Sequence, residues 1–191
     1  MSSRLFSYVV THDSGFAPNP YVGVLTLATC KPRIRATARS GDWLLGTGSV
    51  RAVGSARVVY AAVVSEVLAL EQYSMDPRFA AKLPGVGKEA WQRHGDNIYS
   101  RLPDGTWYQR RNIHHVSKDM ARDLSGKNVL VCRRFWYFGK SAPLLPESLL
   151  LLLKRGPGHR CEDSPPLIGR FASWLDDFQP GISAQPFIVG K

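Results

Sequence analysis

The residues able to do chemistry are few and scattered. His12-Asp13 and His94-x-Asp96 are the close imidazole–carboxylate pairs of the sequence, and such pairs supply acid–base groups that exchange protons near neutral pH. Cys30 stands beside Lys31, and an adjacent cation favours the thiolate that attacks an electrophile. The same cysteine, closing an apolar run, also reads as a small buried hydrophobe. Neither histidine pair has a nucleophile next to it, so spacing alone spells no triad. The catalytic candidates are His12, Asp13 and Asp96 as acid–base groups and Cys30 as nucleophile.

A pocket for a nucleic-acid base asks for less, namely aromatic walls to stack on and a few amide or carboxylate groups for the base edge. Phe16, Trp43 and Tyr137 can form walls, Asn19, Asp96 and Asn97 with His12 beside them can meet the edge, and Thr47-Gly48-Ser49 can approach a phosphate or sugar. Phe16, Trp43 and Tyr137 read equally as core residues. Lys31, Arg33, Arg35, Arg39 and Arg51, with Arg133 and Arg134 further along, are expected to face a phosphate backbone. No metal is expected: His114-His115 cannot both face one ion from a strand, and His159-x-Cys161 is a lone pair of ligands. No cofactor is expected either, because Gly46-x-Gly48-x-x-Arg51 lacks the third glycine of a dinucleotide loop and no Gly-Lys-Ser/Thr follows.

Periodicity and turn chemistry predict the elements that hold these groups. Leu5 to Val10 reads as a first strand, and Thr11 to Pro20 as a loop presenting His12, Asp13, Phe16 and Asn19. Tyr21 to Cys30 reads as a second strand and Arg33 to Arg39 as a short basic helix. Trp43-Leu44-Leu45 is a buried strand that emerges into a Gly46-Thr47-Gly48-Ser49 loop, and Ala56 to Leu68 is one long buried strand. Asp76-Pro77 starts a helix, Lys88 to Arg93 forms another, and Pro103-Asp104-Gly105 turns a hairpin. Ser117 to Leu124 reads as a helix, Asn128 to Phe138 as a strand, and Pro166 to Phe178 as a helix with an apolar stripe.

Over the whole chain, 25 Lys and Arg against 15 Asp and Glu leave a net charge of +10. Such an excess attracts polyanions, so a nucleic acid or nucleotide is the expected partner. Three widely spaced cysteines without a CxxC pair argue against a disulfide framework or zinc knuckle and for a cytoplasmic setting. The opening MSSRLFSYVV lacks the apolar core of a signal peptide, and Leu149 to Leu153 is too short to cross a bilayer, so no membrane is expected.

The stretch SYVVTHDSGFAPNPYVGVLTLATCKPRIRATARSGDWLLGTGS, the central HGDNIY and the later FWYFGKSAPLLP resemble the nucleotide modification associated domain 2 family. That resemblance implies involvement with modified DNA bases in bacteria and phages, and makes DNA the favoured partner. A weaker resemblance, in layout only, is to the EVE and other PUA-like domains, small β-barrels that hold a modified base. Together these give the expected fold: a single α+β domain with a curved, mostly antiparallel or mixed sheet, or a PUA/EVE-like barrel, with short helices around it. Its core would span about residues 1–140, with a helical extension over 141–191. Three functions stay open at this point: a domain that recognises a modified base, an enzyme that modifies a base or nucleotide, and a non-catalytic protein-interaction module.

Overall fold

The chain divides its apolar residues between two cores. The computed structural model describes residues 2–85, 87 and 89–187. Its strands are β1 (Leu5–Val10), β2 (Leu25–Leu27), β3 (Trp43–Gly48), β4 (Val58–Val63), β5 (Glu66–Ala69), β6 (Tyr99–Arg101), β7 (Trp107–Gln109), β8 (Asn128–Cys132), β9 (Arg134–Tyr137), β10 (His159–Glu162) and β11 (Gly181–Ile182). Its α-helices are α1 (Pro32–Thr37), α2 (Leu70–Met75), α3 (Ala90–Arg93), α4 (Ser117–Leu124) and α5 (Pro165–Leu175), and Pro77–Lys82, Gly139–Ser141 and Glu147–Leu152 are 3-10 helices. Two compact units result: Met1–Ser14, Arg39–Ser65 and Cys132–Lys191 form the first, and Gly15–Ala38 and Glu66–Val131 form the second.

The first unit is built on a six-stranded mixed sheet in the order β10-β1-β3-β4-β9-β11. β1 runs parallel to β3, and β9 parallel to β11; the other pairings are antiparallel. A carboxylate sets the register at its start. Asp42 accepts from the Arg4 backbone N–H at 2.9 Å, the Arg4 guanidinium at 2.6 Å and the Arg39 N–H at 2.9 Å, which aligns the entries to β1 and β3. On one face of the sheet, Trp43 stacks on Trp136 at 6.1 Å and meets Phe171 edge-on. Leu167, Ile168, Phe171 and Leu175 of α5 fill that core, as the apolar stripe predicts.

The second unit holds a three-stranded sheet, β2-β8-β5, and the hairpin of β6 and β7. Phe16, Leu70, Tyr73, Phe79, Ile98, Tyr99, Val129 and Val131 close its core.

The mixed α/β reading holds, with a multi-stranded mixed sheet and several helices. Among the described residues the strand order is linear and no closed barrel is found. Four element expectations are corrected. Gly46-Thr47-Gly48 is not a loop: it continues β3, fully buried, with a bulge between Gly46 and Thr47. Glycine is needed there for close approach, since a Cβ at Gly46 would lie 2.2 Å from the Tyr60 ring. Ala56 to Leu68 and Asn128 to Phe138 are each two strands, because the chain passes between units after Ser65 and after Val131. Within Tyr21 to Cys30 only Leu25–Leu27 is strand. The hairpin and α4 lie where they were predicted, and the helix expected from Lys88 spans Ala90–Arg93, its expected start lying outside the described residues.

Candidate active site

The site lies within the second unit and begins with a strained turn. Between β2 and α1, Cys30 has φ 55° and Lys31 φ 38°, two consecutive left-handed residues that carry side chains. Each costs on the order of 1–2 kcal/mol. Pro32 keeps Lys31 out of the right-handed region and sets the first helical φ. A sharp, strained turn between strand and helix is also the arrangement by which hydrolases lift a reactive side chain off a sheet. Cys30 is partly exposed.

What offsets the strain is Arg35, one turn along α1. Its side chain is fully buried. Nε donates to Cys30 O at 2.8 Å, Nη1 to Asn128 O at 2.7 Å, and Nη2 to Asp123 O. Gly126 lies under the guanidinium, where a Cβ would stand 2.6 Å from Cζ. One buried cation thus holds the cysteine turn and the end of α4 in fixed relation.

Asp123 occupies the last turn of α4, a place where the helix dipole disfavours a carboxylate. It is fully buried, and three donors compensate: the Cys30 N–H to Oδ1 at 2.9 Å, Tyr99 OH to Oδ2 at 2.9 Å and His115 Nδ1 to Oδ2 at 2.6 Å. The other nitrogen of His115, Nε2, lies 3.5 Å from Cys30 Sγ. His115 is itself fixed by Asn112, whose Oδ1 accepts the N–H of His114 at 2.9 Å and of His115 at 2.7 Å, and by Gln109 Nε2 on His115 O at 2.9 Å. Sulfur, imidazole and carboxylate stand in line, with hydrogen-bond contacts at both ring nitrogens.

The electrostatics distinguish the neighbouring histidines. Burial opposes charge on His115, but its bonds to Asp123 and Cys30 and their charges prevail and raise its pKa to about 9. Burial pushes Asp123 up, yet His115, Tyr99 and the Cys30 N–H outweigh it and hold the carboxyl below its usual range. His114 is driven the other way, to about 4, by burial and then by His94 and His115. Its Nε2 lies 2.7 Å from His94 Nδ1, and Phe16 stacks on its ring at 4.3 Å. His94 is also lowered, by burial first. A neutral imidazole pair therefore flanks one imidazolium.

Other expected site residues of this unit serve its interior. Asp96 is completely buried and accepts from Thr26 Oγ1 at 2.6 Å and Tyr73 OH at 2.7 Å; burial raises its pKa. Asn19 accepts from buried Lys82 Nζ at 2.8 Å and donates to His94 O at 2.8 Å. Asn97 is 2% exposed, with Nδ2 on Tyr73 O at 3.4 Å. Phe16 is 3% exposed. Arg35, expected on a phosphate backbone, instead spends its guanidinium on three carbonyls, whereas Arg33 is exposed and Lys31 half-buried.

The rest fall in the first unit. Trp43, expected as a stacking wall, is core between Trp136 and Phe171. Tyr137, expected as another, is fully buried and donates to Asp13, whose second oxygen accepts the Phe187 N–H at 3.0 Å. Thr47 and Gly48 are buried in β3, and Ser49 is half-buried in the turn that follows. His12, Arg39, Arg51, Arg133 and Arg134 are exposed, with Arg134 lying over the Trp136 ring. The residues chosen for one pocket are thus divided between the units, while Cys30, of the expected nucleophile and acid–base groups, lies within reach of an imidazole that is itself bonded to a buried carboxylate in its own unit.

Those partners, His115 and Asp123, were missed. Their traces are slight: an Asx residue placed to cap the two following histidines at Asn112, and an acid in the last turn of a helix, where a cation must answer it.

Comparison with curated proteins and with solved structures returns no match. The family model described as nucleotide modification associated domain 2 matches residues 2–190, nearly the whole sequence, and the chain belongs to that family.

Proposed function

We propose that this protein is a thiol-dependent enzyme acting on a nucleotide or nucleic-acid base, with Cys30 as nucleophile, His115 as acid–base group and Asp123 as the residue that positions and charges His115. One observation carries the reading: Nε2 of His115 lies 3.5 Å from the Cys30 sulfur while Nδ1 lies 2.6 Å from a buried carboxylate oxygen. A nucleophile in reach of a base that is itself oriented by a third group is the geometry of nucleophilic catalysis. The family's description, an association with nucleotide modification, supports a nucleotide or base as the substrate class. Incubation with a panel of nucleotides and modified DNAs, followed by mass analysis, tests it: a substrate mass changes with the native protein and not with Cys30→Ser. An unchanged mass across the panel overturns it.

A second reading, favoured by the net charge of +10, is a domain that binds nucleic acid and recognises a modified base without changing it, in the manner of EVE and PUA-like domains. It requires binding that weakens steeply with salt, a preference for modified over plain DNA, and no dependence on Cys30.

A further inference from the structure

We infer that the Cys30 site performs acyl transfer, carrying an acyl group as a thioester on Cys30 between a carbonyl donor and an amine or hydroxyl of the nucleotide, or water. This rests on the reading above that Cys30 is the nucleophile, and adds the class of bond it acts on.

The arrangement of the proton carrier leads to this class. His115 faces the sulfur with one nitrogen and gives the other to Asp123, so it can take a proton at the sulfur and release it at the same edge. Such an imidazole is needed where the leaving group departs beside the sulfur and must be protonated, as an amine or alcohol leaving a carbonyl carbon must. Alkyl transfer from a cationic donor needs no acid at that position. Addition of sulfur to a pyrimidine ring needs a proton on a ring nitrogen away from the sulfur. The left-handed Cys30 turn, tied to the Asp123 carbonyl by Arg35, holds the three groups fixed; Cys30 is partly exposed, the His115 side chain 10% exposed and that of Asp123 0%.

The steps balance without an oxidant or reductant. With His115 Nε2 already holding the proton of the pair, the Cys30 sulfur attacks the carbonyl carbon of an amide, ester or thioester. The bond to the leaving nitrogen, oxygen or sulfur breaks, its electron pair takes the His115 proton, and the acyl group remains on Cys30. An amine, hydroxyl or water then gives a proton to His115 as it attacks the thioester. The carbon–sulfur bond breaks, and the sulfur is left beside the protonated His115 as at the start.

The groups facing His115 are Cys30 and Asp123 by direct contact, Tyr99 and Arg35 through Asp123, and His114 beside it. As His115 loses its proton, the acid for the leaving group is lost, so the acylation rate falls on the alkaline side.

The test uses the full chain with p-nitrophenyl acetate as acyl donor, read by p-nitrophenol release and by mass spectrometry of the intact protein and its peptides, and with phenyl acetate, whose more basic leaving group needs the His115 proton, for the pH profile. A burst of p-nitrophenol is expected, with an acetyl adduct on the Cys30 peptide that neutral hydroxylamine removes and that outpaces any on Cys132 or Cys161. His115→Asn should slow acylation by about 100-fold, and Asp123→Asn should slow it and move the alkaline limb of the pH profile. If either variant fails to fold, the pH profile of the native protein and the adduct's absence in Cys30→Ala decide. Iodoacetamide alkylation run in parallel separates the two claims. Fast, His115-dependent alkylation of Cys30 without any acyl adduct overturns acyl transfer and leaves the nucleophile standing. Alkylation no faster than that of exposed Cys161 overturns both.

Discussion

Burial opposes the charge on His115, and its bonds to Asp123 and Cys30 win, holding its pKa at about 9. A raised pKa stabilises the folded state fully below the unfolded value of about 6.5, and the gain is lost as pH rises through the folded value. Thermal melts should therefore show the native protein more stable than His115→Asn at pH 6, with the gap closing towards pH 9. A gap that widens with pH would reverse the assignment. Asp123 has the opposite sign: its lowered pKa adds stability at neutral pH that fades in acid as its carboxyl protonates. Gly126→Ala brings a methyl within 2.6 Å of the Arg35 guanidinium. It should cost about 1–3 kcal/mol in urea unfolding and slow Cys30 alkylation, because Arg35 holds the Cys30 carbonyl. Cys30 was legible from the sequence as a candidate nucleophile. Its partners were not, since they lie 85 and 93 residues away and no local pattern encodes a meeting brought about by the fold.

At the scale of elements, β1 and β3 are parallel neighbours whose entries are joined through Asp42, a carboxylate with a 4% exposed side chain on a partly exposed Arg4. Asp42→Ala removes the carboxylate that the Arg4 guanidinium and the Arg4 and Arg39 N–H groups share. About 2–4 kcal/mol should be lost, somewhat discounted for the solvent around Arg4, as read from urea midpoints at constant m value. A loss within experimental error would show that strand pairing sets this register without the carboxylate. The hairpin around Pro103-Asp104-Gly105 and helix α4 were readable because turn chemistry and periodicity act locally. β4 and β5, like β8 and β9, were read as single strands because Val and aromatic residues run on through the points where the chain changes unit. Apolar continuity carries no mark of which core a strand serves. The glycines of β3 were read as a loop because sequence does not show the Tyr60 ring that needs the space.

The whole molecule is defined by how its two units share the chain. The second unit takes Phe16, Asn19, Ala28 and Arg35 from its first segment and Tyr73, Lys82 and Asp123 from its second. A fragment covering only Glu66–Val131 loses the partner of Lys82 and the cap of Asp123, and should show no cooperative melt by circular dichroism. A sharp transition in that fragment would mean that its core closes without the first segment. The net charge of +10 also belongs to this scale: any affinity for DNA should fall steeply between low and physiological salt, measurable by fluorescence anisotropy.

The chain visits its units in the order first, second, first, second, first. During synthesis, Val131 is the last residue the second unit awaits, while the sheet of the first still lacks β9, β10 and β11. The ribosome therefore releases the cysteine, the imidazole and the acid early enough to assemble ahead of the larger sheet. A nascent chain stalled before β9 would leave the edge of β4 open to stray partners, and one stalled before β11 the edge of β9.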